Sequence, residues 1–420
     1  MERMITCDFH DLSHDGQGVG RHFDKVVFVE GVLPQEKASI KVVREKKNLI
    51  EGKLVQLLKE SPDRVNPVCP YFSQCGGCQI MHLSYEKQLE AKKNRVLNQI
   101  KKIAKFDIPF EVEMHSSPQK LHYRNKISCK LKDLKFGYYE KKSHTLLDIE
   151  RCAIAQFNLQ PLISLIRNHL SELKQFQSVT FRTNALNTEV TLLFYPNENI
   201  PKSLLESIKQ QHKEVVGIVS ADEKGQKKIQ YGRSFIYETI LDETFKVDAL
   251  AFLQVNILQA ERLYKKVLSY LNLKPDEIVV DAYCGIGILA CTMGKTQASI
   301  VGFDVVKESI ESAQENAKRL GLNHVSFFQE PFESAHSLPK KVDSLIINPP
   351  RSGCEKQAFD QVKRLNPKKV IYVSCDPATL ARDLIILFEI GYSLKGLDIF
   401  DLFPQTMHVE TLAYLEKTVE

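Results

Sequence analysis

From about Ala249 onward the chain alternates short apolar, β-branched runs with helix-like stretches, and few folds accept that order. The runs are EIVVDAYC, ASIVGFD, VDSLIINPP and KKVIYVSC, with stretches such as KESIESAQENAKRLG between them. Runs without polar alternation suit strands buried on both faces, and intervening helices are what cover those faces, so the segment predicts a doubly wound parallel sheet. Ligands of such sheets bind beyond the carboxyl ends of the strands, so the residues that follow each run are the candidates for chemistry.

The first strand ends in DAYCGIGILA, where Gly285 and Gly287 permit a tight turn and a close approach of backbone to a ligand. Asp304 ends the second strand, 23 residues after Asp281, the distance expected of a carboxylate that takes the two ribose hydroxyls of a nucleoside cofactor. GIGILA also fits a loose GxGxxA dinucleotide fingerprint. Two features count against an NAD site: Asp281 precedes the glycines, and Asn348-Pro349-Pro350 closes a later strand, resembling the Asp/Asn-Pro-Pro ends with which methyltransferases line the methyl-transfer pocket.

Upstream the signals change. Residues 1 to about 60 read as short strands: KVVFVEGVL and ASIKVVRE alternate, DGQGVGRHFD supplies turns, and a small β-barrel is expected. YEKQLEAKKNRVLNQIKKI has helical spacing, and residues 116–242 mix strand and helix signals, including VTFRTNA and EVTLLFYP. A length of 420 residues suits two or three domains. No apolar run reaches the ~18 residues of a membrane span, and MERMITCDFHDLSHDG has no signal-peptide core, so a cytoplasmic location without membrane partners is expected.

The net charge of +5 is uneven: Glu86 to Lys142 carries 15 Lys/Arg against 7 Asp/Glu, an excess of 8 that leaves −3 for the rest. That region is the natural polyanion contact. Ten cysteines in a reducing compartment point to metal ligation or catalysis. Cys69, Cys75 and Cys78 stand close together in VCPYFSQCGGCQI, and Cys152 in DIERCAI is the candidate fourth ligand; spacing alone fits zinc or a 4Fe–4S cluster.

From Pro67 onward these motifs, in order, resemble the RNA 5-methyluridine methyltransferases, in particular the bacterial 23S ribosomal RNA branch that carries an iron–sulfur cluster. The resemblance rests on CPYFSQCGGCQ, HLSYEKQLEAK, HYRNKIS, FGYYEKKSHTLLDIERC, FLQVN, DAYCGIGILA, NPPRSG, VSCDPATLARDL and FPQTMHVETLAYLE. The N-terminal DLSHDGQGVGRHFDKVVFVEGVLPQE is similar to a TRAM domain, a small RNA-binding barrel. The α/β architecture implied is a TRAM/OB-like barrel over 1–60, a central α+β domain with the cluster over 61–245, and a Rossmann-like S-adenosylmethionine-dependent methyltransferase domain over 246–420.

The resemblance also implies roles. Cys69, Cys75, Cys78 and Cys152 would hold a 4Fe–4S cluster, with zinc the alternative. Gln254, Asp281, Tyr283, Gly285, Gly287, Asp304 and Asn348 would bind S-adenosylmethionine. Cys375, just past an apolar strand, would add to carbon 6 of uracil to make carbon 5 nucleophilic, helped by a desolvated pocket and a nearby cation, for which Arg351 is the candidate. Glu410 would remove the carbon 5 proton. Tyr123, Arg124, Lys126 and the basic segment Lys92 to Lys105 would contact RNA around a flipped uridine. A monomer acting on 23S rRNA is expected; transfer RNA, or RNA binding with an inactive methyltransferase domain, is the alternative. The chain departs from the family pattern at Asn348 (usually Asp), Asp376 (usually Asn) and Glu330-Pro331 (often Gly-Asp).

Overall fold

The structure, a computed structural model, describes residues 3–418. The chain forms two compact units. The first comprises the chain up to Arg95 with Tyr138–Leu147 and Phe403–His408; the second comprises Val96–Gly137, Asp148–Leu402 and the chain from Val409 on.

In the first unit β1 (Met4–Leu12), β2 (Gly18–His22), β3 (Lys25–Val29), β4 (Lys37–Glu45) and β5 (Leu49–Lys59) close a barrel in the order β1-β2-β3-β5-β4. The period of two puts Ile5, Cys7 and Phe9 of β1 inside with Val27, Val29, Ile40 and Ile50. Beside the barrel the buried carboxylate of Glu36 is paired: Arg64 donates to both of its oxygens, at 2.5 and 2.8 Å, and Leu33 N–H donates at 2.7 Å.

Helix α1 (Tyr85–Gln99) ends in a π-helical turn over Ile100–Ala104. Its lysines do not all face solvent as its pattern predicts. Lys92 is fully buried and donates to the Phe403 carbonyl at 3.0 Å, and Arg95 donates to the Met407 carbonyl at 2.7 Å. The expectation that Lys92 to Lys105 forms one RNA-facing basic segment is therefore corrected: its first cations tie the helix to the 403–408 loop.

The second unit contains β6 (Glu113–His115), β7 (Lys126–Lys132), β8 (Lys135–Tyr139), β9 (Leu146–Asp148), helix α2 (Gln160–Asn168), β10 (Ser178–Thr183), β11 (Val190–Tyr195), helix α3 (Lys202–Gln211), β12 (Val215–Ala221) and β13 (Lys227–Gly232), the strands β8 and β9 running on into the first unit. Seven of these strands form a sheet in the order β13-β12-β11-β10-β7-β8-β9, and a hairpin of β14 (Phe235–Ile240) and β15 (Glu243–Asp248) follows.

The remaining elements are α4 (Ile257–Leu271), β16 (Ile278–Asp281), α5 (Ile288–Gly294), β17 (Ser299–Phe303), α6 (Lys307–Arg319), β18 (Val325–Phe328), β19 (Ser344–Ile347), α7 (Lys356–Leu365), β20 (Lys369–Ser374), α8 (Pro377–Glu389), β21 (Tyr392–Phe400) and β22 (Glu410–Lys417). They build an eight-stranded sheet, β18-β17-β16-β19-β20-β22-β21-β6, in which β16 to β20 are parallel and β22 is antiparallel to both neighbours. Val280, Leu345, Ile347, Val370 and Tyr372 are completely buried, as strands covered on both faces require. The chain works outward from β16 to β18 and then returns to β19, so strand order reverses between β16 and β19.

Candidate active site

That reversal opens a crevice at the carboxyl ends of β16 and β19. Asp281 ends β16 and is almost fully buried; burial, with Asp304 nearby, pushes its carboxyl up to about 7. Gly285 follows with φ +54°, and a Cβ built on it meets nothing within 4 Å, so open space borders its backbone. Gly287 is glycine for another reason. At φ +79° a Cβ there would lie 2.8 Å from the Phe327 ring, so the start of α5 needs it in order to pack against β18. Asp304, just past β17, accepts from Gly285 N–H at 3.0 Å and from Val306 N–H at 2.8 Å, which fixes the glycine loop.

A narrow cavity of about 50 Å³ is bordered by Gln254, Tyr264, Asp281, Tyr283, Gly285 and Asn348 among others. Five of the seven residues expected to bind cofactor thus share one cavity, while Gly287 and Asp304 shape the loop beside it. Asn125 holds the Gln254–Val255 backbone: its side-chain amide donates to the Gln254 carbonyl at 3.3 Å and its backbone N–H to the Val255 carbonyl at 2.9 Å.

Cys375 follows β20 directly. Ser374 pairs with Thr411 across the β20–β22 ladder, and the Thr411 hydroxyl donates to the Ser374 carbonyl at 3.0 Å, so the antiparallel register brings Glu410 opposite Cys375. Burial pushes the Cys375 thiol up to about 11, Glu410 adds to the rise, and Arg351 opposes it. The expectation that desolvation helps activate the thiol is corrected, since burial disfavours the charged form; the cation is what favours the thiolate. Burial likewise pushes the Glu410 carboxyl up to about 8, again opposed by Arg351.

Tyr264 was missed in the sequence. It borders the cavity described above, and burial together with the charges of Asp281 and Glu410 holds its phenol above the ordinary range. Its place on the buried stripe of α4, with Ala260, Leu263 and Val267, makes it look like core. Asp376 caps α8 by accepting from Ala378 N–H at 2.9 Å and Thr379 N–H at 3.1 Å, a task Asn performs equally well. Glu330 accepts from His336 N–H at 2.8 Å and from the Ser337 hydroxyl at 2.6 Å, so it is committed to its own loop.

Cys69, Cys75 and Cys78 are half-buried in a turn-rich loop in which Cys75 N–H donates to the Tyr71 carbonyl at 2.7 Å and Gly77 N–H donates to Cys75 Sγ at 3.4 Å. Cys75 and Cys78 both act on the Lys141 ammonium, an arrangement that suits thiolates. Cys152 belongs to the second unit, where Gln160 brackets its backbone, accepting from its N–H at 3.1 Å and donating to its carbonyl at 2.9 Å. Glu113, His115 and Asp398 also bring three ligand atoms within 4.8 Å of one another, but Asp398 is already paired to Lys266 at 3.2 Å and accepts from Tyr270.

The family model described as tRNA (Uracil-5-)-methyltransferase matches residues 84–418, and the TRAM domain model matches residues 3–55. The chain belongs to the RNA uracil-5-methyltransferase family. This methyltransferase is 34% identical to an RNA methyltransferase of Oceanobacillus iheyensis over 98% of its own length and 96% of that protein's, and 32% identical to one of Clostridium acetobutylicum over 97% and 95%. It is similar to the crystal structure of the Pyrococcus abyssi tRNA (uracil-54, C5)-methyltransferase in complex with S-adenosyl-L-homocysteine, with a TM-score of 0.77 and 25% identity over 98% of this chain and 100% of that one. The enzyme is an S-adenosylmethionine-dependent RNA (uracil-5-)-methyltransferase with an N-terminal TRAM domain. Among the described residues no helix is long and apolar enough to cross a membrane.

Proposed function

We propose that this cytoplasmic enzyme methylates carbon 5 of a uridine in 23S rRNA through a covalent bond from Cys375 to carbon 6. The observation that carries the mechanism is the meeting of Cys375, Glu410 and Arg351 at the strand ends, with Tyr264 reaching from this group to Asp281. The Cys375 thiolate would add to carbon 6, the ring would become an enolate, and its carbon 5 would take the sulfonium methyl as the S–CH3 bond breaks and its electrons leave with S-adenosyl-L-homocysteine. Glu410 then takes the carbon 5 proton, and the electrons of that bond restore the ring double bond and expel the thiolate. S-adenosylmethionine supplies the methyl group and a positive charge. Arg351 is the side chain that favours ionisation of Cys375.

The open space beside Gly285 and the buried acid Asp281 fit that cofactor, with Gln254, Tyr283 and Asn348 as its further contacts and Asp304 as the carboxylate for its ribose. For the cysteines we propose a 4Fe–4S cluster held by Cys69, Cys75, Cys78 and Cys152. The hydrogen bond from Gly77 N–H to Cys75 Sγ and the Lys141 charge are environments that suit cluster thiolates. The ribosomal target is supported by the resemblance of the cysteine pattern and barrel to the rRNA branch, whereas the Pyrococcus abyssi protein favours transfer RNA as the second reading. Nucleoside analysis of separated rRNA and tRNA from cells with and without the gene decides it: 5-methyluridine lost from 23S rRNA alone is expected, and loss from tRNA alone overturns the assignment.

A further inference from the structure

The second unit contains another cavity, which shares no lining residue with the cofactor cavity. It measures about 310 Å³ and is bordered by Gln119, His122, Gln156, Phe157, Asn187 and Asn256 among others. Phe157 stacks on His122 with ring centroids 3.7 Å apart and planes at 22°, yet Phe157 is 69% exposed, so much of its ring is open to a ligand. His122 is held at φ +52° with Nδ1 3.0 Å from the Ala155 carbonyl. Because a carbonyl only accepts, Nδ1 carries the proton of that bond and Nε2 is the nitrogen left for another partner.

Gln156 supplies the polar half. It is 8% exposed, and its side-chain oxygen has no hydrogen-bond partner among the described residues. A buried amide oxygen is costly to leave unmatched, so what the cavity lacks is an N–H donor. A flat ring with N–H groups on its edge, stacked on an aromatic platform, is a nucleobase.

The cavity is also placed for RNA. Gln254 borders the cofactor cavity and Asn256 this one, two residues and roughly 7 Å of extended chain apart. Gln156 N–H donates to the Arg124 carbonyl at 3.1 Å, and Asn125 N–H to the Val255 carbonyl at 2.9 Å, so both cavities hang on one hydrogen-bonded framework. Lys126, next in the chain, has its ammonium pushed down to about 7 by burial and by the charges of Arg182 and Arg124, a strain that a phosphate would relieve.

We propose that this cavity receives a second unstacked base of the substrate RNA, one presenting an N–H donor edge, beside the nucleotide being methylated. The proposal rests on the reading of the enzyme as an RNA methyltransferase. Its probe is total RNA from a deletion strain, with binding measured by gel shift and methylation measured separately. Phe157→Ala, at an exposed position, should weaken RNA binding and raise the KM for RNA about 10-fold, with kcat and S-adenosylmethionine affinity unchanged, and Phe157→Trp should restore both. Gln156→Leu, which keeps the volume and removes the acceptor, should raise KM without restoring on Phe157→Trp. RNA affinity unchanged in both Phe157→Ala and Gln156→Leu overturns the pocket. A wild-type protein that binds this RNA but methylates none of it overturns the functional reading instead, and the gel shifts still decide the pocket.

Discussion

In the proposed mechanism Cys375 and Glu410 act on opposite sides of methyl transfer, so their loss should look different. Cys375→Ala should bind cofactor and RNA yet give no methylated product and no adduct. Glu410→Gln should complete attack and transfer but stall before elimination, accumulating a denaturation-resistant RNA–protein band that carries methyl label, with turnover reduced roughly 10²–10⁴-fold. Full turnover by Cys375→Ala would end the covalent mechanism. The Glu410 carboxyl, raised to about 8 by burial, also sets a pH dependence. The base must be ionised to work, so adduct resolution should speed up about tenfold per pH unit below about 8 and level off above it. Stability moves the other way. The folded state holds this proton to about 8 and the unfolded chain only to about 4.3, so stability is full below the lower value and is lost as pH rises through the higher one. Glu410→Gln should therefore show a higher urea midpoint than wild type at pH 8.5, with the gap shrinking towards pH 5. At the cofactor loop, Asp304→Ala removes the acceptor for Gly285 N–H and should weaken S-adenosylmethionine binding roughly 10- to 100-fold by calorimetry. Binding of NADH with comparable affinity would contradict the site's assignment.

Among the elements, a buried carboxylate paired with an arginine ties the barrel to the chain that follows. Glu36 is 1% exposed and Arg64 meets both its oxygens. Removing the guanidinium strands a buried carboxylate, so Arg64→Ala should destabilise the first unit by about 3–5 kcal/mol in denaturant unfolding, whereas Arg64→Met with Glu36→Leu should recover much of it. A loss under 1 kcal/mol for the single change would show that Glu36 simply takes up a proton. Strands at this scale were largely readable: IVVD, SIVGF, SLII and KVIYVS are strands, and the apolar alternation of the N-terminal segment does form a barrel. The burial of Lys92 was not readable, because a lysine in a lysine-rich helix looks solvated until a distant carbonyl, that of Phe403, is found against it.

At the scale of the molecule, the proposed cluster would draw its ligands from separate stretches of sequence, Cys69, Cys75 and Cys78 close together and Cys152 well downstream. Anaerobically purified protein should be brown and contain about four irons per chain. Cys152→Ser should lower the iron content and the thermal unfolding temperature. A colourless protein with one zinc and no iron would replace the cluster with a zinc site, and full iron loading of Cys152→Ser would remove Cys152 from the ligand set.

The sequence by itself determined what depends on neighbours along the chain. Strand runs, the glycine turn after Asp281 and the clustered cysteines are local signals, because backbone conformation and ligand spacing are set within a few residues. Only the tertiary structure decided what depends on which distant segments meet. The β20–β22 register sets Glu410 against Cys375, the strand-order reversal makes the Asp281 loop a crevice, and α4 delivers Tyr264 between the two. The proton affinities of Asp281, Cys375 and Glu410 belong to the same class. They arise from desolvation and from charges far away in sequence, and those exist only once the chain has packed.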